Sequence, residues 1–207
     1  LGIVTGSCTW LRDVRRGWSF LVDCGMQQGE RNSASWNKQA WPFRPAELNF
    51  VVLTHAHIDH CGLLPRLYQD GFKGVVYCPK ETRDLAIISL RDAARHSDGL
   101  YTEEDVERIK WHEPKGVPLL GGTFHPVGTD LFLKFYRTGH IVGAVSVAVY
   151  WGPKGPDQRS IVFSGDLGPN GEGEESLPFL RFRMHPVPSN FAVLESTYGA
   201  RVREAYE

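Results

Sequence analysis

The chain has 207 residues, of which 42 % are hydrophobic and 23 % charged, the proportions of an ordinary folded protein with a core of its own. Its formal net charge is −1, so it lacks the basic excess of a protein that grips a polyanion over a broad surface. No stretch approaches the ~20 apolar residues of a membrane span, and the first residues do not read as a secretory leader, so the expected setting is the cytoplasm, away from membranes.

In chain order, Ser19 to Val22 reads as a strand that ends at Asp23-Cys24-Gly25. Phe50 to Leu53 is a short apolar, β-branched run, the pattern of a buried strand, and polar residues follow it at once. Gly62 to Tyr68 reads as a short helix and Gly74 to Cys78 as the next strand. Glu81 to Arg95 has helical spacing, with Leu85, Ile88 and Ala93 as the expected inward positions. Thr102 followed by Asp105 is a capping signal for a charged helix running to about Lys110. Four β-like runs come next, at Leu131 to Tyr136, Ala144 to Trp151, Ile161 to Phe163 and Phe191 to Leu194, and Gly152 to Pro156 makes a turn between two of them. Mixed strands and helices in this order predict an α/β (α+β) fold of sheets covered by helices. The last strand lies close to Glu207, so the chain is expected to be the first part of a longer protein. Cys8, Cys24, Cys61 and Cys78 form no C-x-x-C pair, which argues against a cysteine-based zinc site and for reduced, mostly buried thiols.

The segment Thr54-His55-Ala56-His57-Ile58-Asp59-His60 carries the chemistry. It puts three of the chain's eight histidines and one aspartate into six positions, which chance spacing rarely does. In extended chain His55 and His57 project to one side, and a turn after them brings Asp59 and His60 to a neighbouring point. Imidazole and carboxylate suit zinc and similar divalent ions. Two more strand-like runs end on a glycine and a ligand type, Gly139-His140 and Gly165-Asp166. Each is weak alone, but together they supply a third histidine and a carboxylate able to bridge two ions.

With these motifs in view, the chain resembles the metallo-β-lactamase superfamily, through Val22-Asp23-Cys24-Gly25, the His-x-His-x-Asp-His loop, Gly139-His140 and Phe163-Ser164-Gly165-Asp166-Leu167-Gly168. Leu194-Glu195-Ser196-Thr197-Tyr198-Gly199 resembles the acidic motif that opens the insertion of the β-CASP branch, which includes the pre-mRNA 3′-end cleavage factor and ribonuclease J. Gly6-Ser7-Cys8-Thr9 and the Gly25 to Gly29 loop are similar to the same branch. The resemblance implies an αββα sandwich, incomplete here, with residues 1–195 as the metallo-β-lactamase-like domain and 196–207 as the start of the insertion. It implies that His55, His57 and His140 hold one metal, Asp59 and His60 another, and that Asp166 bridges them. Asp23 would lie beneath the site and orient ligands, and Glu195 would support a histidine supplied later in the chain. Asp59, Asp166, Glu195 and Asp23 are thus the expected catalytic set. Two zinc ions, or manganese, are the implied cofactors.

The first reading is a nuclease acting on RNA, with single-stranded DNA as a second polymer. A thioesterase or lactonase on the same scaffold is the alternative, and a non-catalytic RNA-processing subunit the third. This piece alone is expected to be inactive, because two histidines of the family pattern would lie beyond it. Arg12, Arg15 and Arg16 could touch phosphate but read more simply as a solvated turn, and the Ser196 to Gly199 segment could also bond phosphate. The six tryptophans read mainly as packing. His96, His112, His125 and His185 receive no role.

Overall fold

The computed structural model describes residues 5–29, 32–96, 99–115, 123–168 and 187–197. Two five-stranded sheets organise them. The first takes β1 (Thr9–Asp13), β2 (Trp18–Val22), β3 (Phe50–Val52), β4 (Val75–Tyr77) and β5 (Trp111–His112) in that order. The hairpin β1–β2 is antiparallel and the remaining pairs are parallel. The second sheet runs β10 (Phe191–Val193), β9 (Arg159–Phe163), β8 (Val145–Trp151), β7 (Leu131–Arg137) and β6 (His125–Gly128). It is antiparallel except for the parallel pair β9–β10.

Alternation along the strands sorts side chains between two cores. Phe20, Val22, Phe50 and Val52 face Leu133, Phe135, Val147 and Val149 of the second sheet, and all are buried. Phe20 and Phe50 stack there with ring centroids 4.6 Å apart. The intervening Leu21, Val51, Leu53 and Val76 point the other way, into a core shared with the helices. A strand apolar on both faces is what a central parallel strand requires, and Phe50–Val52 meets that description. The helices on that side are α2 (Ile58–Cys61), α3 (Leu64–Gln69), α4 (Lys80–His96) and α5 (Glu103–Glu107), while α1 (Ser33–Trp36) is a single turn with no buried residue. The described residues therefore stack as helices, sheet and sheet.

The expected strands at 19–22, 50–53, 74–78, 131–136, 144–151, 161–163 and 191–194 are present within a residue or two. The capping box at Thr102 forms, with its hydroxyl accepting from Asp105 N–H and Asp105 accepting from Thr102 N–H, but the helix stops at Glu107. The inward face of α4 differs from expectation. Thr82, Ala86 and Leu90 are its buried positions and Ala93 is partly buried, whereas Leu85 is 37 % and Ile88 66 % exposed. All four cysteines are free, and Cys24, Cys61 and Cys78 are buried.

Candidate metal centre

Strands β2, β3, β7, β9 and β10 all release their chains toward one rim of the sandwich. Loops at strand ends are where a rigid scaffold displays reactive groups, because the sheet fixes both ends of each loop. A hydrogen bond from Val145 N–H to Thr54 C=O, 3.0 Å long, ties the two sheets together at this rim.

After β3 the chain stays extended through His57 and then closes into the one-turn helix α2, which carries Asp59 and His60. The loop after β2 is laced onto that turn. Cys24 N–H donates to His60 C=O at 2.8 Å, Met26 N–H to Ile58 C=O at 3.0 Å, and Ser7 N–H to Asp59 C=O at 2.7 Å. A Cβ on Gly25 would lie 1.6 Å from the Asp59 carbonyl oxygen, so only glycine allows this approach.

Asp23 is buried, with a backbone φ of 62° that aspartate tolerates better than most residues. Its carboxylate accepts from Thr54 N–H at 2.8 Å and from Thr54 Oγ1 at 3.0 Å. It also lies 2.8 Å from Nδ1 of His60. Thr54 Oγ1, having given its proton to Asp23, accepts from Nδ1 of His55 at 3.1 Å. One buried carboxylate thus orients two imidazoles, His60 directly and His55 through Thr54. Each is held with Nε2 turned to the rim. Thr54 is a residue that sequence reading missed; its only signal is its place between a buried strand and the first histidine.

Above this base lie two groups of ligand atoms. Nε2 of His55 is 3.0 Å from Nδ1 of His57, and Nε2 of His140 is 3.1 Å from the same atom. Asp166 Oδ2 is 3.6 Å from Nε2 of His55 and 3.4 Å from Nε2 of His140. One ligand atom from each of these four residues lies within 4.8 Å of the others, so the group could hold a metal ion. Metal–nitrogen bonds of ~2.0–2.1 Å in a tetrahedron put ligand atoms ~3.3–3.4 Å apart, and the four separations above, 3.0 to 3.6 Å, bracket that value. Asp166 Oδ1 points elsewhere, 3.3 Å from Nε2 of His60, which is itself 3.9 Å from Asp59 Oδ2. The two oxygens of one carboxylate therefore face two different groups.

Protonation follows the same division. Burial pushes His55 down to about 2, reinforced by the charge of His60, and burial likewise lowers His57. These imidazoles are neutral and free to act as ligands near neutral pH. Burial also pulls on His60, but Asp23 and Asp166 on its two sides outweigh it and raise it to about 10. The hydrogen bond from His60 holds Asp166 down at about 2.

Glu195 is close by but outside both groups. Its Oε1 accepts from Leu167 N–H at 2.5 Å, and its own N–H donates to Ser164 Oγ at 2.9 Å, so it secures the loop that bears Asp166. The turn bearing Arg15 and Arg16 lies at the other end of β2 from Asp23, and Arg16 is paired there with Asp13 at 2.9 Å. His96, His112 and His125 stand on α4, β5 and β6, apart from the cluster, and Trp18 packs on Phe20. His185, Tyr198 and Gly199 lie outside the described residues.

A profile of the Metallo-beta-lactamase superfamily matches residues 1–197. The chain belongs to the metallo-β-lactamase superfamily. Within it, the chain is 35 % identical over 204 residues to Ribonuclease TTHA0252 of Thermus thermophilus, covering 98 % of this chain and 43 % of that protein. It is 28 % identical over 186 residues to the transcription termination factor FttA of Methanocaldococcus jannaschii, covering 87 % and 28 %. These relatives bear out the resemblance to the β-CASP branch. The chain spans less than half the length of either. Among solved structures, the Rm3 metallo-beta-lactamase superposes with a TM-score of 0.57 at 17 % identity, over 93 % of this chain and 72 % of its own, which establishes the superfamily fold.

Proposed function

We propose that this chain is the metallo-β-lactamase domain of a two-metal phosphodiesterase that cleaves RNA, with residues 1–195 forming the domain and 196–207 entering a β-CASP-type insertion. The observation that carries the reading is the split carboxylate of Asp166, with one oxygen toward His55 and His140 and the other toward His60. His55, His57 and His140 would hold the first ion and Asp59 and His60 the second, with Asp166 shared between them. Zinc is the ion the donor set suits best, and manganese is the alternative.

When bound, two dications neutralise charge on the phosphoryl group and lower the pKa of water so that it can attack near pH 7. The protein's share is orientation. Asp23 and Thr54 keep Nε2 of His60 and His55 facing the rim, a role in which outer partners commonly tune affinity. Glu195 holds the Ser164–Leu167 loop so that Asp166 meets both groups. The ribonuclease name of the first relative supports RNA as the polymer.

The test is cleavage of end-labelled RNA by the full-length protein with added zinc or manganese, beside its Asp59→Ala variant. The wild type is expected to cut and the variant to fall to background. Undiminished cutting by Asp59→Ala removes the mechanism. The 207-residue chain alone is expected to bind one ion tightly and to turn over no RNA.

A further inference from the structure

The cluster does not stand on open surface. Beside it runs a groove of about 480 Å³, lined by His57, Leu85, Ser89, His140, Ile141 and Val142. Its size falls within the ~300–1,000 Å³ usual for ligand sites, and its composition, apolar walls with few polar groups, is the usual one too. His57 and His140, two of the four residues that could hold a metal ion, are among its lining residues.

The groove also takes in two of the apolar side chains that the core leaves out, Leu85 and Val142. Leu85 is 37 % and Val142 45 % exposed, and Ile88, one turn from Leu85 on α4, is 66 % exposed. Leu85 and Val142 line one opening together with the partly buried Ile141, and apolar side chains gathered in this way mark a binding surface, where single exposed ones would mean nothing. Nor are the walls loose. The buried hydroxyl of Thr82 on α4 donates to Gly143 C=O at 2.7 Å, clamping the 139–143 loop to the helix. Gly143 has a φ of 83°, and a Cβ there would come within 2.6 Å of Thr82 N and Oγ1. The clamp therefore depends on glycine, and it leaves Ile141 and Val142 standing opposite Leu85 as a preformed slot.

We propose that this slot receives the nucleobase of a nucleotide flanking the scissile phosphate, a subsite that rests on the phosphodiesterase reading given above. A phosphate held by ions at this cluster would have its next base within reach of the groove, because His57 and His140 line both. A base is flat and apolar on its faces, so Leu85, Ile141 and Val142 can sandwich it, and Ser89 offers a hydroxyl to its edge. Nothing in the slot matches the donor pattern of one base, so it grips any base and fixes the register of the strand.

The test crosses a protein change with a substrate change in the full-length protein. Intact RNA is compared with RNA lacking the base on either side of the cut, for wild type and Leu85→Asp. Removing the bound base should lower the wild-type kcat/KM about tenfold, the scale of losing some tens of Å² of apolar burial. Leu85→Asp should lose a similar factor on intact RNA and nothing further on the abasic strand. Losses that multiply, or a wild type indifferent to both abasic strands, overturn the subsite while leaving the nuclease reading intact. Equal losses by Leu85→Asp on every substrate also overturn it, and would make the groove a seat for another protein segment. A wild type that cuts no RNA removes both. Because an exposed position can still perturb folding, the zinc-loaded Asp59→Ala protein, expected not to cut, is also photocross-linked to 4-thiouridine RNA. Adducts at residues 85–89 or 141–142 are expected, and adducts confined to other regions overturn the assignment.

Discussion

His60 is the candidate ligand whose proton is held most firmly. Asp23 and Asp166 bracket its ring and raise it from an ordinary 6.5 to about 10 against the pull of burial. A histidine whose folded pKa is raised adds stability below its unfolded value and loses that share as pH climbs through the folded one. The His60 contribution is therefore complete below about 6.5 and lost between there and about 10. His55, depressed to about 2, acts in reverse, and its share is lost as pH falls below 6.5. Thermal melts of the chelator-treated protein from pH 6.5 to 10 should fall, and His60→Asn should flatten that limb. An unchanged slope in the variant would show that the proton is not held at His60. At this scale much of the candidate cluster was legible beforehand, because four ligand-type residues share one short segment and Gly139-His140 and Gly165-Asp166 repeat its grammar. Asp23 was legible only through resemblance. Thr54 was invisible, since a threonine between a strand and a histidine has no distinguishing pattern until its hydroxyl is seen hydrogen-bonded between His55 and Asp23.

Helix α4 shows why an element can be found correctly and oriented wrongly. Periodicity locates 81–95 as a helix, yet it offers two apolar stripes and no way to choose between them. Leu85 and Ile88 are the larger side chains, and size favours them as core. The sheet core instead accepts the slimmer stripe of Thr82, Ala86 and Leu90, because the helix lies close and Thr82 must reach Gly143. Short strands such as β1 and β6 escaped for a related reason: they border their sheets, and although their burial alternates, the residues TWLRD and HPVG do not alternate in hydropathy. The Thr82 contact can be weighed. Thr82→Val keeps the shape but leaves the buried Gly143 carbonyl without its partner, at a cost of ~1–3 kcal/mol. Denaturant unfolding of metal-free protein should register that loss. A difference below ~0.5 kcal/mol, the range of an ordinary surface substitution, would mean that backbone geometry alone holds the loop on α4.

For the molecule as a whole, the consequence of the ligand layout is mechanical. His55, His57, Asp59 and His60 follow a strand of the first sheet, whereas His140 and Asp166 follow strands of the second. An ion held by both sets joins the sheets at the rim, where the described backbone link is the single bond from Val145 to Thr54. Because the ligands converge only in the folded chain, binding there adds directly to folding free energy. At free metal 100-fold above Kd the gain is ~2.7 kcal/mol. For a chain of this size that corresponds to a rise of ~5–10 °C in Tm. Stripping the metal should reverse the rise, and Asp166→Ala, which takes the carboxylate away from both groups while leaving all four imidazoles, should remove most of it. If the variant keeps the full metal-dependent rise, the ions do not span the sheets through Asp166, and the carboxylate merely neighbours a cluster that the histidines complete by themselves.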